Sequence, residues 1–169
     1  MRAFLAQPDV QVLAVCDPVR ASEEYGHWYK KGWNGAWFGR EPAARIVEDD
    51  YAHKAGSGQY KGCAAYVDVR DLIARDDIDA VCIATPDHWH AICAIQAAAA
   101  GKDIYCEKPM TLTIAEGRAV AEAVRQYHVV FQTGTQRRSS QLYRFICEVV
   151  RNGRIGKLQR ALVAIGPNN

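Results

Sequence analysis

Residues 79–107 read DAVCIATPDHWHAICAIQAAAAGKDIYCE, and this stretch decides the fold class. The short apolar run 79–84 predicts a buried strand. Residues 90–101 predict an alanine-rich helix that ends at Gly101, and 102–107 predict a second strand. A strand, a helix and a strand in this order form a right-handed βαβ unit with parallel strands. The stretch therefore predicts an α/β protein with a mainly parallel sheet.

The same alternation continues on both sides of this unit. Residues 1–7 are typical of the last turns of a helix, and 25–40, rich in aromatic residues and glycine, predict a loop. Helices are predicted at 41–56, 69–75, 113–127 and 141–153, and strands at 10–18, 128–133 and 157–166. Thr113 and Glu116 have the spacing of a capping box. The pattern predicts a doubly wound sheet covered by helices on both faces.

Composition excludes several classes of function. The 169 residues carry 21 basic and 19 acidic side chains, a net charge of +2, which gives no case for binding nucleic acid. No apolar run approaches the roughly 20 residues that cross a bilayer, and the first residues lack the pattern of a signal peptide. The six cysteines form no C-x-x-C pair, and we expect buried, reduced thiols, which favours a cytoplasmic protein.

Polar and titratable groups follow each of four predicted strands. Ligands of open α/β sheets bind beyond the carboxyl ends of the strands, so these groups predict one site at that edge. The groups are Asp17 after the first strand, Thr85-Pro86-Asp87-His88 after the second, Glu107-Lys108-Pro109 after the third, and Gln136-Arg137 after the fourth.

Asp17 is placed to accept hydrogen bonds from the ribose hydroxyls of a dinucleotide. Its charge would repel a 2′-phosphate, which favours NAD over NADP. The glycine-rich phosphate loop of such a fold lies about 20 residues before this acid. Gly26 is the first glycine of the sequence. We therefore expect the loop and the first strand of the domain to lie upstream of this sequence.

Three motifs together carry a resemblance to a known family. ATPDHWHA (84–91), GKDIYCEKPMT (101–111) and QTGTQRR (132–138) resemble the Gfo/Idh/MocA family of NAD(P)-dependent oxidoreductases. The family joins a Rossmann domain to an α/β domain built on an open antiparallel sheet. The resemblance implies a partial Rossmann domain at 1–153. It also implies that 154–169 begin the second domain with its first strand, so that the chain resembles an internal fragment.

The resemblance implies a role for Lys108. Its ammonium group would hydrogen-bond the substrate hydroxyl and stabilise the alkoxide that develops during hydride transfer. The family often has a cis bond before the proline of this motif, so Lys108–Pro109 is a candidate cis peptide. Thr85, Pro86 and His88 would line the nicotinamide side of the cofactor cleft.

Three further residues receive roles with alternatives. Glu107 would bind ribose or orient Lys108. Gln136 and Arg137 match a family segment near the nicotinamide and the substrate, although an arginine at a helix start is equally a solvated charge.

A metal site at Asp87, His88 and His90 is disfavoured because adjacent side chains project apart and no fourth ligand is evident. His90 is expected to pack in the first turn of its helix, and we predict no metal.

The resulting functional hypothesis is hydride transfer between NAD(P) and a hydroxyl of a sugar or polyol. The alternatives are an NAD-dependent, redox-neutral glycosidase of the same family and a non-catalytic nucleotide-binding module. The family takes its catalytic histidine from the second domain, so this chain alone is expected to be inactive. The complete protein is expected to be a homo-oligomer with no nucleic-acid or membrane partner. It is expected in the cytoplasm, with export to the periplasm as the alternative.

Overall fold

The structure, a computed structural model, describes residues 2–22 and 38–164. The aromatic stretch predicted as a loop at 25–40 lies almost entirely outside the described residues. The chain divides into two compact units, Met1–Thr133 and Gly134–Asn169. None of the helices in the described part of the chain is long and apolar enough to cross a membrane.

The first unit alternates strands and helices as the sequence predicted. Its strands are β1 (Ala14–Cys16), β2 (Ala64–Tyr66), β3 (Ala80–Ile83), β4 (Asp103–Glu107) and β5 (Phe131–Gly134), the last ending at the division between the units. Its helices are α1 (Arg2–Leu5), α2 (Arg40–Ala55), α3 (Val69–Ile73), α4 (Asp87–Ala99) and α5 (Ile114–Tyr127). The second unit contains a 3-10 turn (Gln136–Ser139) and α6 (Gln141–Arg151).

The described strands form two separate sheets. β1 and β2 form a parallel pair, and β3, β4 and β5 form a sheet in that order, with β3 parallel to β4. Within the described residues β1 and β3 are not hydrogen-bonded to each other. A single additional strand between them would join the two sheets, and the expectation that this strand lies upstream of the sequence stays a prediction.

Local sequence explains where the longer helices begin and end. α5 has the predicted capping box, since the Thr113 hydroxyl accepts from the Glu116 N–H and the Glu116 carboxylate accepts from the Thr113 N–H. α2 carries a proline in its first turn and ends at Gly56, whose φ of 61° closes the helix with a left-handed residue. α4 is rich in alanine, the best helix former, and begins at Asp87, three residues before the predicted start.

Two apolar clusters form the core of the first unit. The larger one lies between the β3–β5 sheet and the helices α3, α4 and α5, and its buried members include Ile83, Ile104, Cys106 and Val120. The smaller one contains Leu5, Val15, Ala44 and Val47, from α1, β1 and α2. Ala14, Cys16 and Tyr66 of the β1–β2 pair pack against the larger cluster, so both sheets share one core.

Three predictions of secondary structure were inaccurate in the first unit. β2 was not predicted, since no element was assigned to 64–66, and it pairs with β1. β1 is much shorter than the predicted strand at 10–18. His128 was expected to open a strand, and instead it caps α5 with a left-handed φ of 55°. β2 and the length of β1 depend on strand pairing, and the position of His128 depends on where α5 ends. Hydrophobic periodicity detects neither.

The predicted last strand is also absent from the described part of the chain. Residues 157–164 have no strand structure there, and Leu162 and Val163 are 83% and 85% exposed. An alternating sequence forms a strand only when a neighbouring strand supplies hydrogen bonds, and none of the described segments does so here. The assignment of 154–169 to a second domain therefore stays a prediction.

The thiols differ in part from the expectation. All six cysteines are free, as predicted, and Cys93 and Cys106 are buried. Cys82 was expected to be buried but is exposed. On the same face of the sheet, Phe4 of α1 lies in edge contact with Tyr105, the register partner of Cys82, with ring centroids 6.0 Å apart.

Candidate functional site

The ends of β3 and β4 bring two of the predicted segments together. The two strands are parallel neighbours, with Ile83 opposite Cys106 at the last pair of the register. The chain beyond β3 and the chain beyond β4 therefore leave the sheet side by side at its carboxyl edge. Thr85 follows one strand and Lys108 follows the other, as the sequence predicted.

The segment after β3 forms a turn that leads directly into α4. Pro86 is the residue before the helix, and its carbonyl accepts from the Trp89 N–H at 2.9 Å. Thr85, Pro86 and His88 are all exposed at this turn. The His88 and Trp89 rings lie in tilted contact, with centroids 5.9 Å apart. The turn therefore presents its proline and an imidazole to solvent.

The segment after β4 carries an exposed lysine directly after a strand that ends in a glutamate. Glu107 is the last residue of β4, and its Oε2 accepts from the backbone N–H of Lys108 at 3.3 Å. The Lys108 side chain is exposed. The Lys108–Pro109 peptide bond is cis, as the sequence predicted.

His90 joins these two segments. It lies in the first turn of α4 and is 1% exposed. Its Nδ1 lies 2.6 Å from the carbonyl oxygen of Pro109, and its Nε2 lies 2.8 Å from the carbonyl oxygen of Thr85. The prediction that His90 packs in this turn is confirmed. A metal at this position is disfavoured, since both of its ring nitrogens already face carbonyl oxygens.

Asp17 follows β1, in the other sheet. Its Oδ1 accepts from the Val19 N–H at 2.8 Å, and its carbonyl accepts from the Arg40 guanidinium at 3.2 Å. The Asp17 N–H donates to the Tyr66 carbonyl at 3.1 Å, which extends the β1–β2 ladder by one bond. The carboxylate is half-buried and is held in a tight turn at the end of its strand, the position predicted for it.

Gln136 and Arg137 lie in the second unit, on the 3-10 turn that follows β5. The Arg137 guanidinium stacks 5.2 Å from the centroid of the Tyr143 ring and also donates to its hydroxyl. Tyr143 belongs to α6 of the same unit. The exposed arginine thus has an aromatic partner within its own unit. Its predicted contact with a cofactor stays a prediction.

Sequence reasoning missed two features of buried polar residues in the first unit. It predicted that His90 packs but did not predict that its ring lies between two loop carbonyls. The available signal was spacing, because His90, Ala94, Ala97 and Ala98 recur on one buried helical face, where a polar ring needs partners. Lys102 is also buried, and its amine donates to the Arg75 carbonyl at 2.6 Å, which ties the end of α3 to the start of β4.

The thiols near this edge do not supply a nucleophile. Burial raises the pKa of Cys106 to about 11, and burial followed by the adjacent Asp17 carboxylate raises the pKa of Cys16 to about 11. Both groups are therefore protonated thiols at neutral pH, which react poorly. Chemistry at the edge is left to the exposed polar side chains.

The residues present fit one side of a dinucleotide. Exposed proline and threonine at the tip of β3 allow a planar ring to approach the backbone, and the amine of Lys108 lies at the neighbouring tip. An acid that follows a strand, as Asp17 does, suits ribose hydroxyls. The fold and these strand tips define a doubly wound α/β domain of the Rossmann type, with its candidate site at the carboxyl edge of the sheet.

Comparisons with known proteins make the assignment specific. The profile of the oxidoreductase family with an NAD-binding Rossmann fold, Gfo/Idh/MocA, matches residues 38–135. The chain belongs to this family.

Relatives within the family have known names. Myo-inositol 2-dehydrogenase of Thermotoga maritima is 34% identical over 93 residues, covering 55% of this chain and 28% of that protein. The scyllo-inositol 2-dehydrogenase (NAD(+)) of Bacillus subtilis is 38% identical over 90 residues, covering 53% of this chain and 26% of that protein. A crystal structure of myo-inositol 2-dehydrogenase from Lactobacillus plantarum superposes with a TM-score of 0.61 at 25% identity, covering 92% of this chain and 38% of that one. The chain therefore spans well under half the length of these relatives.

Proposed function

We propose that this chain supplies the nicotinamide-side edge of an NAD-dependent oxidoreductase that transfers hydride to or from a hydroxyl-bearing carbon of a sugar or polyol. The observation that carries the proposal is the pairing of two strand tips. Lys108, which is exposed directly after β4, and the Thr85-Pro86 turn after β3 leave two neighbouring parallel strands at the same edge of the sheet. The names of the inositol dehydrogenases among the relatives support the substrate class.

Lys108 is the residue to which we assign the chemistry. When bound, NAD supplies the hydride acceptor. The Lys108 ammonium group would donate a hydrogen bond to the substrate hydroxyl oxygen and stabilise the negative charge that develops there while a base takes the hydroxyl proton. In this proposal the base is the histidine that the family supplies from its second domain. Glu107, whose carboxylate holds the Lys108 backbone, helps to orient that residue. Thr85, Pro86, His88 and Pro109 line the nicotinamide face in this proposal.

The adenosine side is less complete in this chain. Asp17 accepts from ribose hydroxyls in the proposal, and this favours NAD over NADP. Residues 1–16 contain no glycine, so the amides of a glycine-rich loop that would hold the pyrophosphate are not among the residues before Asp17. We therefore expect very weak binding of NAD to the 169-residue chain in isothermal titration. Micromolar affinity would contradict this account of the phosphate site.

The test of the proposal is a substitution of Lys108 in the complete protein that we predict. Lys108→Met keeps the length of the side chain and removes its charge and its donors. We expect kcat for polyol-dependent NADH formation to fall about 10²–10³-fold, the usual effect of losing one donor to a developing oxyanion. Lys61→Met, at an exposed loop lysine, is the matched control. An unchanged kcat in Lys108→Met would remove the residue from the chemistry.

The same assay distinguishes the alternative function. A redox-neutral glycosidase oxidises and re-reduces its substrate, so NADH does not accumulate while a glycosidic bond is cleaved. The motifs quoted above are common to both functions. Accumulation of NADH in step with substrate consumption favours the dehydrogenase, and cleavage of a glycoside without NADH favours the alternative.

A further inference from the structure

His90 is enclosed between two segments of the proposed site. It is 1% exposed, whereas the other ionisable side chains of the linked segments are half-buried or exposed, namely Asp87, His88, Glu107 and Lys108. Its ring contacts the last carbonyl before Pro86 and the carbonyl that follows the Lys108–Pro109 bond. The two segments follow different strands, and His90 and Pro109 are 19 residues apart in the sequence.

Both partners of the ring are carbonyl oxygens, which accept hydrogen bonds and cannot donate them. At 2.6 Å and 2.8 Å, each contact is within hydrogen-bond distance, so each ring nitrogen must carry a proton for both bonds to form. A neutral imidazole has only one N–H and would leave one nitrogen lone pair against an oxygen lone pair. Both contacts are hydrogen bonds only in the ring form that donates twice, and that form places a charge in a buried position.

We propose that His90 is a positioning residue whose doubly protonated ring ties the Thr85 carbonyl to the Pro109 carbonyl and so fixes Lys108 beside the Pro86 turn. The ring does not touch substrate or cofactor. It acts by setting the distance between two loops that leave adjacent strands, and buried charge-assisted bonds are strong enough to do so. The tie itself follows from this geometry alone, whereas its value for catalysis rests on the proposed function.

The first measurement needs no variant. A long-range proton–nitrogen NMR spectrum of the ¹⁵N-labelled chain near neutral pH reports the state of each imidazole nitrogen. We expect both nitrogens of His90 to resonate as protonated nitrogens, each coupled to the ring carbons' protons. One unprotonated nitrogen in that ring would overturn the proposal.

The second measurement separates positioning from mere packing by chemical rescue. His90→Ala removes the ring, and we expect the amide resonances of Lys108 and Met110 to shift while those of β1 and β2 keep their positions. Imidazole and 4-methylimidazole each carry two N–H groups when protonated, and we expect both to restore the resonances. 1-Methylimidazole matches the second compound in size but has one N–H, and equal rescue by it would overturn the proposal.

His53→Ala is the control for these spectra, because His53 is an exposed histidine near the end of α2. It should leave the Lys108 and Met110 resonances unchanged. All of these readouts are recorded without NAD or substrate. Their failure would therefore remove the tie without touching the proposed function, and the loss of activity in Lys108→Met would stand independently.

Discussion

The β3–β5 half of the first unit and its β1–β2 half have the same parallel strand pairing but different packing. In the β3–β5 half, three helices cover the sheet, and the two loops at its edge are joined through a buried histidine. Within the described residues, the β1–β2 half packs Ala14, Cys16 and Tyr66 against the edge of the larger cluster, and the buried cluster on its own side is the small one that contains Leu5 and Val15. The comparison indicates that the proposed nicotinamide side is built rigidly within this chain, whereas the side that holds Asp17 depends on fewer buried groups.

The largest expected effect compares one buried aliphatic side chain in each half. Ile104→Ala, in the middle strand of the β3–β5 sheet, should lower the free energy of unfolding by about 4 kcal/mol. Leu5→Ala removes the same number of carbon atoms from the smaller cluster and should cost about 2 kcal/mol, because a thinner core relaxes more easily around the cavity.

Urea-induced unfolding followed by circular dichroism measures both variants against the parent chain. Ile46→Ala, at a 41% exposed position on α2, is the control for helix propensity and surface effects. Equal losses in the two buried variants would show that the halves are packed to the same degree, and the comparison would then fail.

A smaller effect tests the helix ends of the two halves. α5, in the β3–β5 half, begins with a full capping box, whereas α2 begins at Gly39 without a side-chain cap. Thr113→Ala should cost about 1 kcal/mol, because the Glu116 N–H loses its acceptor at an exposed helix start. Thr113→Ser keeps the hydroxyl and is the matched control.

At the start of α2, a substitution of Gly39 tests the effect of added strain on stability, whereas Thr113→Ala tests the loss of a cap. Its φ is 114°, and a Cβ there would lie 2.7 Å from the Val19 carbonyl oxygen, so alanine must displace backbone. If Gly39→Ala were tolerated better than Thr113→Ala in the same unfolding assay, the start of α2 would be more adaptable than its geometry implies.

Local signals in the sequence predicted most of the fold and part of the site. The capping box of α5, the glycine end of α2 and the βαβ unit at 79–107 depend on neighbours in the chain, and these predictions were accurate. β2 was missed because a three-residue strand has no periodicity of its own and exists through its pairing with β1. Residues 157–164 were predicted as a strand from alternation alone, which does not supply a partner.

The same distinction holds at the site. The sequence placed Thr85 and Lys108 at the tips of successive strands, and parallel pairing brought them together. It predicted that His90 packs in the first turn of its helix, which the structure confirms. Its two partners were beyond prediction, since the Pro109 carbonyl is brought to the ring by the pairing of β4 with β3, a contact between segments distant in the sequence.

The smallest expected effect is a pH dependence at the start of α3, where the two halves are connected after β2. Hydrogen bonds from the Arg70 side chain, and then from its backbone N–H, lower the pKa of Asp68 from 3.8 to about 2. The folded carboxylate therefore stays charged at a pH where the unfolded one is already protonated. Its contribution to stability is complete above about pH 4 and is lost as the pH falls towards 2.

Asp68→Asn keeps an acceptor for the Arg70 N–H, since asparagine is also a good N-cap, and removes the titrating charge. The stability of the parent chain should therefore fall towards that of the variant between pH 4 and pH 2, and the difference between them at pH 7 should be small because the pair is exposed. Thermal unfolding at stepped pH measures both. Parallel stability curves across that range would mean that the Asp68–Arg70 pair does not hold the start of α3, and that β2 and α3 are joined by their packing alone.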